Sequence, residues 1–157
     1  MISHNEYRAQ HGTAPLRLSF QLSEAAQSLA VKLAQSENLQ FSSKNDVFND
    51  SIAYTWGSQL TGTLVSRMWY EEGNNYDYQS RNLCKSTQHF TQLLWKGSQE
   101  LGVGRARNKY GKEVIVVRYQ PPGNIGKFID NVACKTISLM NKTSVIDPIS
   151  QNSYPGN

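Results

Sequence analysis

The sequence lacks the features that mark secreted, disulfide-stabilised or membrane-spanning proteins. Its 157 residues include only two cysteines, Cys84 and Cys134, too few for a disulfide framework or a cysteine zinc site. No stretch approaches the ~20 apolar residues of a membrane span, and no signal-peptide hydrophobic region follows Met1. We therefore expect an intracellular protein with reduced thiols, whose folding does not depend on disulfides.

Charge is sparse, but it is unevenly distributed along the chain. Residues 1–80 carry five Lys and Arg against eight Asp and Glu, whereas residues 81–127 carry nine against two. The basic excess is concentrated around a predicted hairpin, at Arg105, Arg107, Lys109 and Lys112. Such a patch suits anionic phospholipid headgroups or the acidic half of a second copy, and a solvated face is the alternative. Nucleic acid is not expected as a partner, because no recognised motif or aromatic interleaving accompanies the charge.

Apolar periodicity predicts helices around a small sheet. Helices are expected before Gly12, over residues 22–37 and 63–72, and from a Thr87 cap to Trp95. Two strands flank "KYGK" at 109–112 and predict a hairpin, whose second strand, with four apolar residues at 114–117, is expected to be covered on both sides. The expected class is α+β, with helices above and below a small, mainly antiparallel sheet.

A change of composition predicts where the folded domain ends. After Val132 the sequence turns to Asn, Ser, Thr and Pro. We expect residues 1–132 to form one domain and residues 133–157 to form a loosely ordered tail.

Three blocks of sequence together resemble the signatures of the CAP superfamily of cysteine-rich secretory, antigen 5 and pathogenesis-related 1 proteins. They are "HNEYRAQHGTAPLRLS", "HFTQLLWKGSQELGVG" and "VVRYQPPGN". The resemblance spans residues 3–132 and implies a three-layer α-β-α sandwich. Val117 stands where secreted members usually have cysteine, which favours the intracellular, Golgi-associated branch. The family's first helix begins upstream of Met1, so we expect a truncated first helix here. A signal sequence upstream would instead place the protein outside the cell.

The resemblance also implies a cleft with two histidines and two acidic residues, which holds a divalent metal in some members. His89, Glu72 and Asp50 match three of the positions, and Phe41 occupies the fourth. Zinc sites need three or four N, S or O donors and a phenyl ring supplies none, so we expect neither a metal nor another cofactor. The other three are expected to form a hydrogen-bonded cluster. His89 is then either a partly buried histidine satisfied by Glu72 or a backbone carbonyl, or a ligand contact.

These substitutions bear on activity. The serine proposed for hydrolase chemistry in the family falls at Trp56, and nucleophilic catalysis needs a hydroxyl beside an oriented base. We therefore expect a non-catalytic binding module on the cytosolic face of the Golgi or other endomembranes. Its expected partners are a second copy, anionic or sterol-containing membranes, or another protein. The alternative is a metal-dependent hydrolase that uses His89, Glu72 and Asp50.

Overall fold

A computed structural model describes residues 1–37, 50–80 and 82–136. The elements in these ranges are α1 (Ile2–Gln10), β1 (Arg17–Leu18), α2 (Phe20–Gln35), β2 (Ser51–Trp56), α3 (Gly62–Glu71), α4 (Gln88–Leu94), β3 (Glu100–Arg107), β4 (Lys112–Gln120) and α5 (Phe128–Asn131). A single 3-10 turn, Glu72–Asn75, follows α3. Among the described residues, none of the helices has the length and hydrophobicity of a membrane span.

The four strands form one sheet in the order β1-β3-β4-β2. The short β1 runs parallel to β3, and the other two pairings are antiparallel. Strands β3 and β4 pair from Glu100 with Gln120 to Arg107 with Glu113. The predicted hairpin and the mainly antiparallel sheet are both confirmed.

Helices cover both faces of this sheet. On one face, small residues of α2 pack against alternate residues of β4; these are Ala26, Ala30, Ala34, Val114 and Val116. On the other face, the main core joins the sheet to α3, α4 and α5 through residues such as Trp69, Phe90, Leu93, Ile115, Tyr119 and Phe128. Residues 114–117 are at most 4% exposed. The α-β-α sandwich and the doubly covered strand are therefore confirmed.

Two glycines let α2 approach β3 closely. A Cβ atom at Gly102 would lie 2.1 Å from a backbone atom of α2, and one at Gly104 would lie 2.3 Å from another. The side chain of Gln27 then bonds the N–H and the C=O of Arg105 in β3, at 2.8 and 2.7 Å. Strand β1 has only two residues and ends before it could pair with Arg105. Helix α2 therefore supplies hydrogen-bond partners for the backbone of β3 at this position.

The end of α1 contacts the segment that follows α5. Helix α1 ends at Gln10, and Gly12 has φ +62°, as its role as a helix stop predicts. His11 Nδ1–H donates to the carbonyl of Ala133 at 2.7 Å, and Thr136 donates twice to the carbonyl of Gln10 at 2.9 Å. Residues 133–136 of the predicted tail thus lie against α1. Residues 137–157 lie outside the described part of the chain, and the domain boundary stays a prediction.

Candidate functional site

The Glu72 carboxylate accepts hydrogen bonds from two backbone N–H groups in the first turn of α4. Its Oε2 accepts from the N–H groups of His89 and Phe90, both at 3.1 Å, and its Oε1 lies 2.6 Å from His89 Nδ1. A carboxylate at a helix N-terminus satisfies donors that have no partner within the helix. Thr87 stands at the N-cap position, but its side chain makes no capping bond. The predicted N-cap position of Thr87 is therefore confirmed, but the capping bonds come from Glu72 and not from the Thr87 side chain.

The His89 ring is held on two sides. Its plane stacks on Trp69, with 5.2 Å between centroids and 10° between planes. Nδ1–H donates to Glu72, and no described residue bonds Nε2. A carboxylate that orients an imidazole in this way is common beside metals and in general bases. Any chemistry of the pair would therefore act through Nε2.

Asp50 is bonded elsewhere. Its two oxygens accept from Arg118 Nε and Nη2 at 2.8 and 2.7 Å, and the Asp50 side chain is 5% exposed. Arg118 lies on the face of β4 that α2 covers, because strand side chains alternate between faces. His89 belongs to α4, on the opposite face. The expected cluster of three residues is therefore corrected to two separate pairs. Phe41, the fourth position, lies outside the described residues.

The other two histidines are committed to the interior. His4 is 3% exposed, and its ring nitrogens lie 2.7 Å from Ser66 Oγ and 2.8 Å from Tyr119 OH. Burial, with smaller contributions from the charges of the N-terminus and Arg8, lowers the pKa of His4 to about 3. Burial also lowers the pKa of His11. Both rings are neutral structural groups at pH 7.

Arg8 joins the first sequence block to the second. Its side chain has no exposed surface, and Nη1 donates to the carbonyls of Leu93 and Trp95 at 3.0 and 2.9 Å. Nη2 donates to the carbonyl of Ser98 at 3.0 Å, and Nε to that of Ala14 at 2.7 Å. Burial lowers the pKa of Arg8 to about 10, so the group remains a cation. Sequence reasoning gave Arg8 no role, and only its place in the first block marked it.

Gln92 joins the second block to the third. Its Oε1 accepts from the N–H of Gly123 at 2.8 Å, and its Nε2 donates to Ser98 Oγ at 3.2 Å. A Cβ atom at Gly123 would lie 2.6 Å from Gln92 Nε2. The "PPGN" glycine is therefore required by this close approach. The three blocks share a structural role, because each holds another in place.

The predicted basic patch needs a correction at two of its four positions. Lys112 is 1% exposed, and its Nζ donates to the carbonyls of Leu33 and Ser36 at 2.6 and 2.8 Å, at the C-terminal end of α2. Arg105 is paired with Glu113, whose side chain is 1% exposed. Lys112 is thus a structural cation, and the charge of Arg105 is neutralised by a buried carboxylate.

The remaining two cations lie on a turn that is held by hydrogen bonds of Asn108. Arg107 and Lys109 are exposed. Between them, Asn108 Oδ1 accepts from the N–H groups of Tyr110 and Lys112 at 2.9 Å, and its Nδ2 donates to the carbonyl of Ala34 at 2.9 Å. We call residues 107–111, together with residues 56–57 at the end of β2, the hairpin tip.

The two strand ends meet at this tip. The N–H of Gly57 donates to the carbonyl of Gly111 at 3.1 Å, and the two glycines have φ of +72° and +84°. Left-handed φ values of this kind favour glycine. The hairpin tip is therefore tied both to α2 and to β2.

A cavity of about 130 Å³ opens between α1, α3 and the sheet. Met1, His4, Val65 and Trp69 are among its lining residues. Sites for drug-sized ligands are usually ~300–1,000 Å³. The cavity is too small to seat a molecule such as a sterol.

Comparison with known proteins identifies the family of this chain. The family model of the cysteine-rich secretory protein family, CAP, matches residues 2–119. This chain belongs to the CAP family. It is 37% identical over 134 residues to the human Golgi-associated plant pathogenesis-related protein 1, a match that covers 83% of this chain and 87% of that protein. It is 34% identical over 125 residues to tobacco pathogenesis-related protein 1A, covering 78% and 73%.

Solved structures of the family share the fold at low sequence identity. NaASP2 with Zn²⁺ matches with a TM-score of 0.62 at 17% identity, covering 85% of this chain and 83% of that one. Venom allergen-like protein 4 of Schistosoma mansoni matches with a TM-score of 0.58 at 18% identity, covering 87% and 92%. These likenesses support the sandwich fold alone.

The described residues do not suit a zinc ion. Among them, no group of three or more His, Cys, Asp or Glu side chains is placed to hold a metal. The Asp50 carboxylate is bonded twice to Arg118, and Glu72 is occupied by His89 and the start of α4. His89 Nε2 would be a single donor, whereas zinc needs three or four.

Proposed function

We propose that this CAP domain is a non-catalytic binding module that docks on anionic membranes through the hairpin tip. One observation carries the proposal. Arg107 and Lys109 are exposed on a turn that is fixed to α2 and β2, and neither forms an ion pair with a described residue. Two unpaired cations on one rigid turn suit phosphate-bearing headgroups.

The strength of such binding follows from the number of cations. A basic residue near an anionic membrane contributes ~1 kcal/mol, and the contribution falls off within a Debye length of ~10 Å at 0.1 M salt. Two residues therefore give weak, reversible and salt-sensitive binding. A second signal would be needed for stable attachment.

Charge-driven pairing with a second copy is less favoured. The exposed acidic residues of the first half are distributed over α1, α2 and the segment after α3, for example at Glu6, Glu24 and Asp77. Asp50 and Glu72 are engaged inside the fold. In the described part of the chain, the exposed acidic side chains thus lie on several different elements and not on one of them.

The proposed location of the protein is based on the name of one relative. The human relative is described as Golgi-associated. We propose an endomembrane surface for this chain as well, with the cytosolic face as the expected side, because anionic lipids are concentrated in the cytoplasmic leaflet.

The hydrolase alternative finds little support at His89. A base of this kind needs a hydroxyl within hydrogen-bond reach, and no described hydroxyl is bonded to its Nε2. Trp56, at the position of the family's serine, ends β2 at the hairpin tip, and Ser58 is exposed just beyond it. The oriented imidazole therefore lacks both a metal partner and a nucleophile among the described residues.

Vesicle sedimentation tests the proposal. The protein should bind vesicles that contain phosphatidylserine, ignore phosphatidylcholine vesicles, and be largely released as salt rises from ~0.1 M to ~1 M. The double variant Arg107→Gln/Lys109→Gln should lose most of this binding. The matched control Lys96→Gln/Lys127→Gln removes the same charge from exposed positions elsewhere and should bind normally.

The same variants separate the competing outcomes. An equal loss of vesicle binding in both double variants would show that only net charge matters, and it would contradict the assignment to the hairpin tip. Absence of vesicle binding with a dimer in sedimentation velocity, converted to a monomer by the tip variant, would replace the membrane with a second copy.

A further inference from the structure

We infer that Trp56 and Tyr110 form an aromatic membrane anchor at the hairpin tip, inserting between the headgroups of an anionic bilayer. This inference rests on the proposed membrane binding and adds a second, apolar contribution to it. The juxtaposition of two exposed aromatic rings with Arg107 and Lys109 on one rigid edge of the sheet carries the inference.

The exposure of these rings is unusual for their size. Trp56 is 51% exposed and Tyr110 is 72% exposed, whereas the other two tryptophans, Trp69 and Trp95, are 4% and 3% exposed. Large aromatic side chains usually dominate cores and interfaces. Tryptophan and tyrosine are also enriched where a membrane meets water, because each ring is apolar and carries one polar group.

The strand register places the backbones of Trp56 and Arg107 side by side at one end of the sheet, and alternation directs their side chains to its two faces there. Trp56 pairs with Lys112 across β2 and β4, and Arg107 pairs with Glu113 across β3 and β4. Neighbouring strands are ~4.8 Å apart, so the backbones at Trp56 and Arg107 are roughly 10 Å from one another. Tyr110 lies in the turn that joins β3 to β4.

The Trp56 ring has a fixed neighbour. Lys112 Nζ lies 5.8 Å from the ring centroid, and the same ammonium group is held by two carbonyls at the end of α2. On the turn, Lys109 Nζ lies 5.0 Å from the centroid of Tyr110. A ring positioned before binding loses less conformational entropy when it inserts.

The two cations beside the rings indicate which kind of partner the hairpin tip contacts. A bilayer with anionic headgroups that meets this end of the sheet would contact the cations with its phosphates and take up the rings just below them. An apolar protein groove would cover the rings but leave the cations without a partner. We therefore assign the hairpin tip to a membrane.

Intrinsic fluorescence isolates this contribution, because Trp56 is the exposed one among the three tryptophans. With vesicles containing phosphatidylserine, emission should shift to the blue. Lipids brominated near the headgroup should quench it, and Trp56→Phe should abolish both effects. Sedimentation of the same samples measures binding separately. Binding without a shift or quenching would overturn the anchor and leave the proposed function standing. Absence of binding would overturn the proposed function itself.

Affinity gives a second readout. Removing both rings in Trp56→Ala/Tyr110→Ala should weaken vesicle binding about tenfold, since burying one large apolar side chain is worth enough for that factor. The control Phe20→Ala removes a 77% exposed ring at the other end of α2, roughly 20 Å away along the helix, and should bind normally. Equal affinity of the two variants would overturn the anchor. Thermal melts that match the parent protein's check that each variant is folded.

Discussion

The signature blocks and the hairpin tip use similar side chains in opposite ways. In the blocks, Arg8 is fully buried and donates to four backbone carbonyls, and His89 and Phe90 donate three hydrogen bonds to Glu72. At the tip, Arg107 and Lys109 are exposed and have no ionic partner among the described residues. The blocks that identify the family thus explain its fold, and the proposed binding surface lies in a segment with no signature of its own.

This difference separates family membership from function. A residue whose hydrogen bonds are already made inside the protein has little left to offer a ligand, however strongly it marks the family. The His89–Glu72 pair is mainly of this kind, because the carboxylate of Glu72 already accepts hydrogen bonds from the first turn of α4. The comparison predicts large stability effects in the blocks and small ones at the tip.

The largest effect is expected at Arg8. Replacing it with methionine in Arg8→Met leaves four carbonyls without their donor, so the free energy of unfolding should fall by about 4 kcal/mol. The control Arg67→Met removes an arginine whose side chain is 66% exposed and paired with Glu71, and should cost less than about 1 kcal/mol. Urea denaturation measures both. Similar losses in the two variants would break the comparison.

The next effect separates two lysines that the sequence placed in one patch. Lys112→Met removes a buried donor to two carbonyls at the end of α2 and should cost about 3 kcal/mol. Lys109→Met, three residues earlier on the exposed turn, should change stability by less than about 0.5 kcal/mol. Thermal melts of the pair test this, and a tolerant Lys112 would restore it to the surface patch.

A smaller effect concerns pH and His4. Its pKa is about 3 in the folded protein against an ordinary value of ~6.5, so between these values the unfolded chain binds more protons. Stability is therefore fully present above pH 6.5 and falls as the pH is lowered. The loss from His4 alone should be about 2 kcal/mol between pH 7 and pH 5. Denaturation across this range should show a shallower slope for His4→Gln, and an unchanged slope would contradict the assignment.

No effect is expected from reductant. Cys84 and Cys134 are both free and exposed, and neither lies in the hairpin tip. Melting temperatures with and without a thiol reductant should coincide. A drop of more than about 4 °C, which corresponds to ~1 kcal/mol for a domain of this size, would show a disulfide that this account omits.

Much of the fold was predictable because its signals are local. Leu22, Ala26 and Leu29 recur at helical spacing, and the residues around Gly111 carry turn chemistry between two apolar runs. The continuous apolar stretch at 114–117 showed that its strand is covered on both sides. Each of these patterns is confirmed by the structure, since short-range periodicity determines which face of an element is buried.

The site was less predictable because it depends on side-chain contacts distant in sequence. Lys112 reads as one more charge in a basic run, and only the position of the α2 carbonyls shows that it is buried. Thr87 reads as a helix cap, but Glu72, fifteen residues earlier, takes that role. Asp50 matched a cleft position by motif, whereas its partner is Arg118. None of these contacts can be predicted from the spacing of the residues in the sequence.

One measurement tests the central claim that binding resides at the hairpin tip and not in the cleft. His89→Gln, which removes the imidazole, is compared with Arg107→Gln/Lys109→Gln for binding to phosphatidylserine vesicles at ~0.1 M salt, where exposed charges still act over ~10 Å. We expect His89→Gln to bind like the parent protein and the tip variant to lose most of its binding. Loss of binding in His89→Gln, with the tip variant unaffected, would contradict the account.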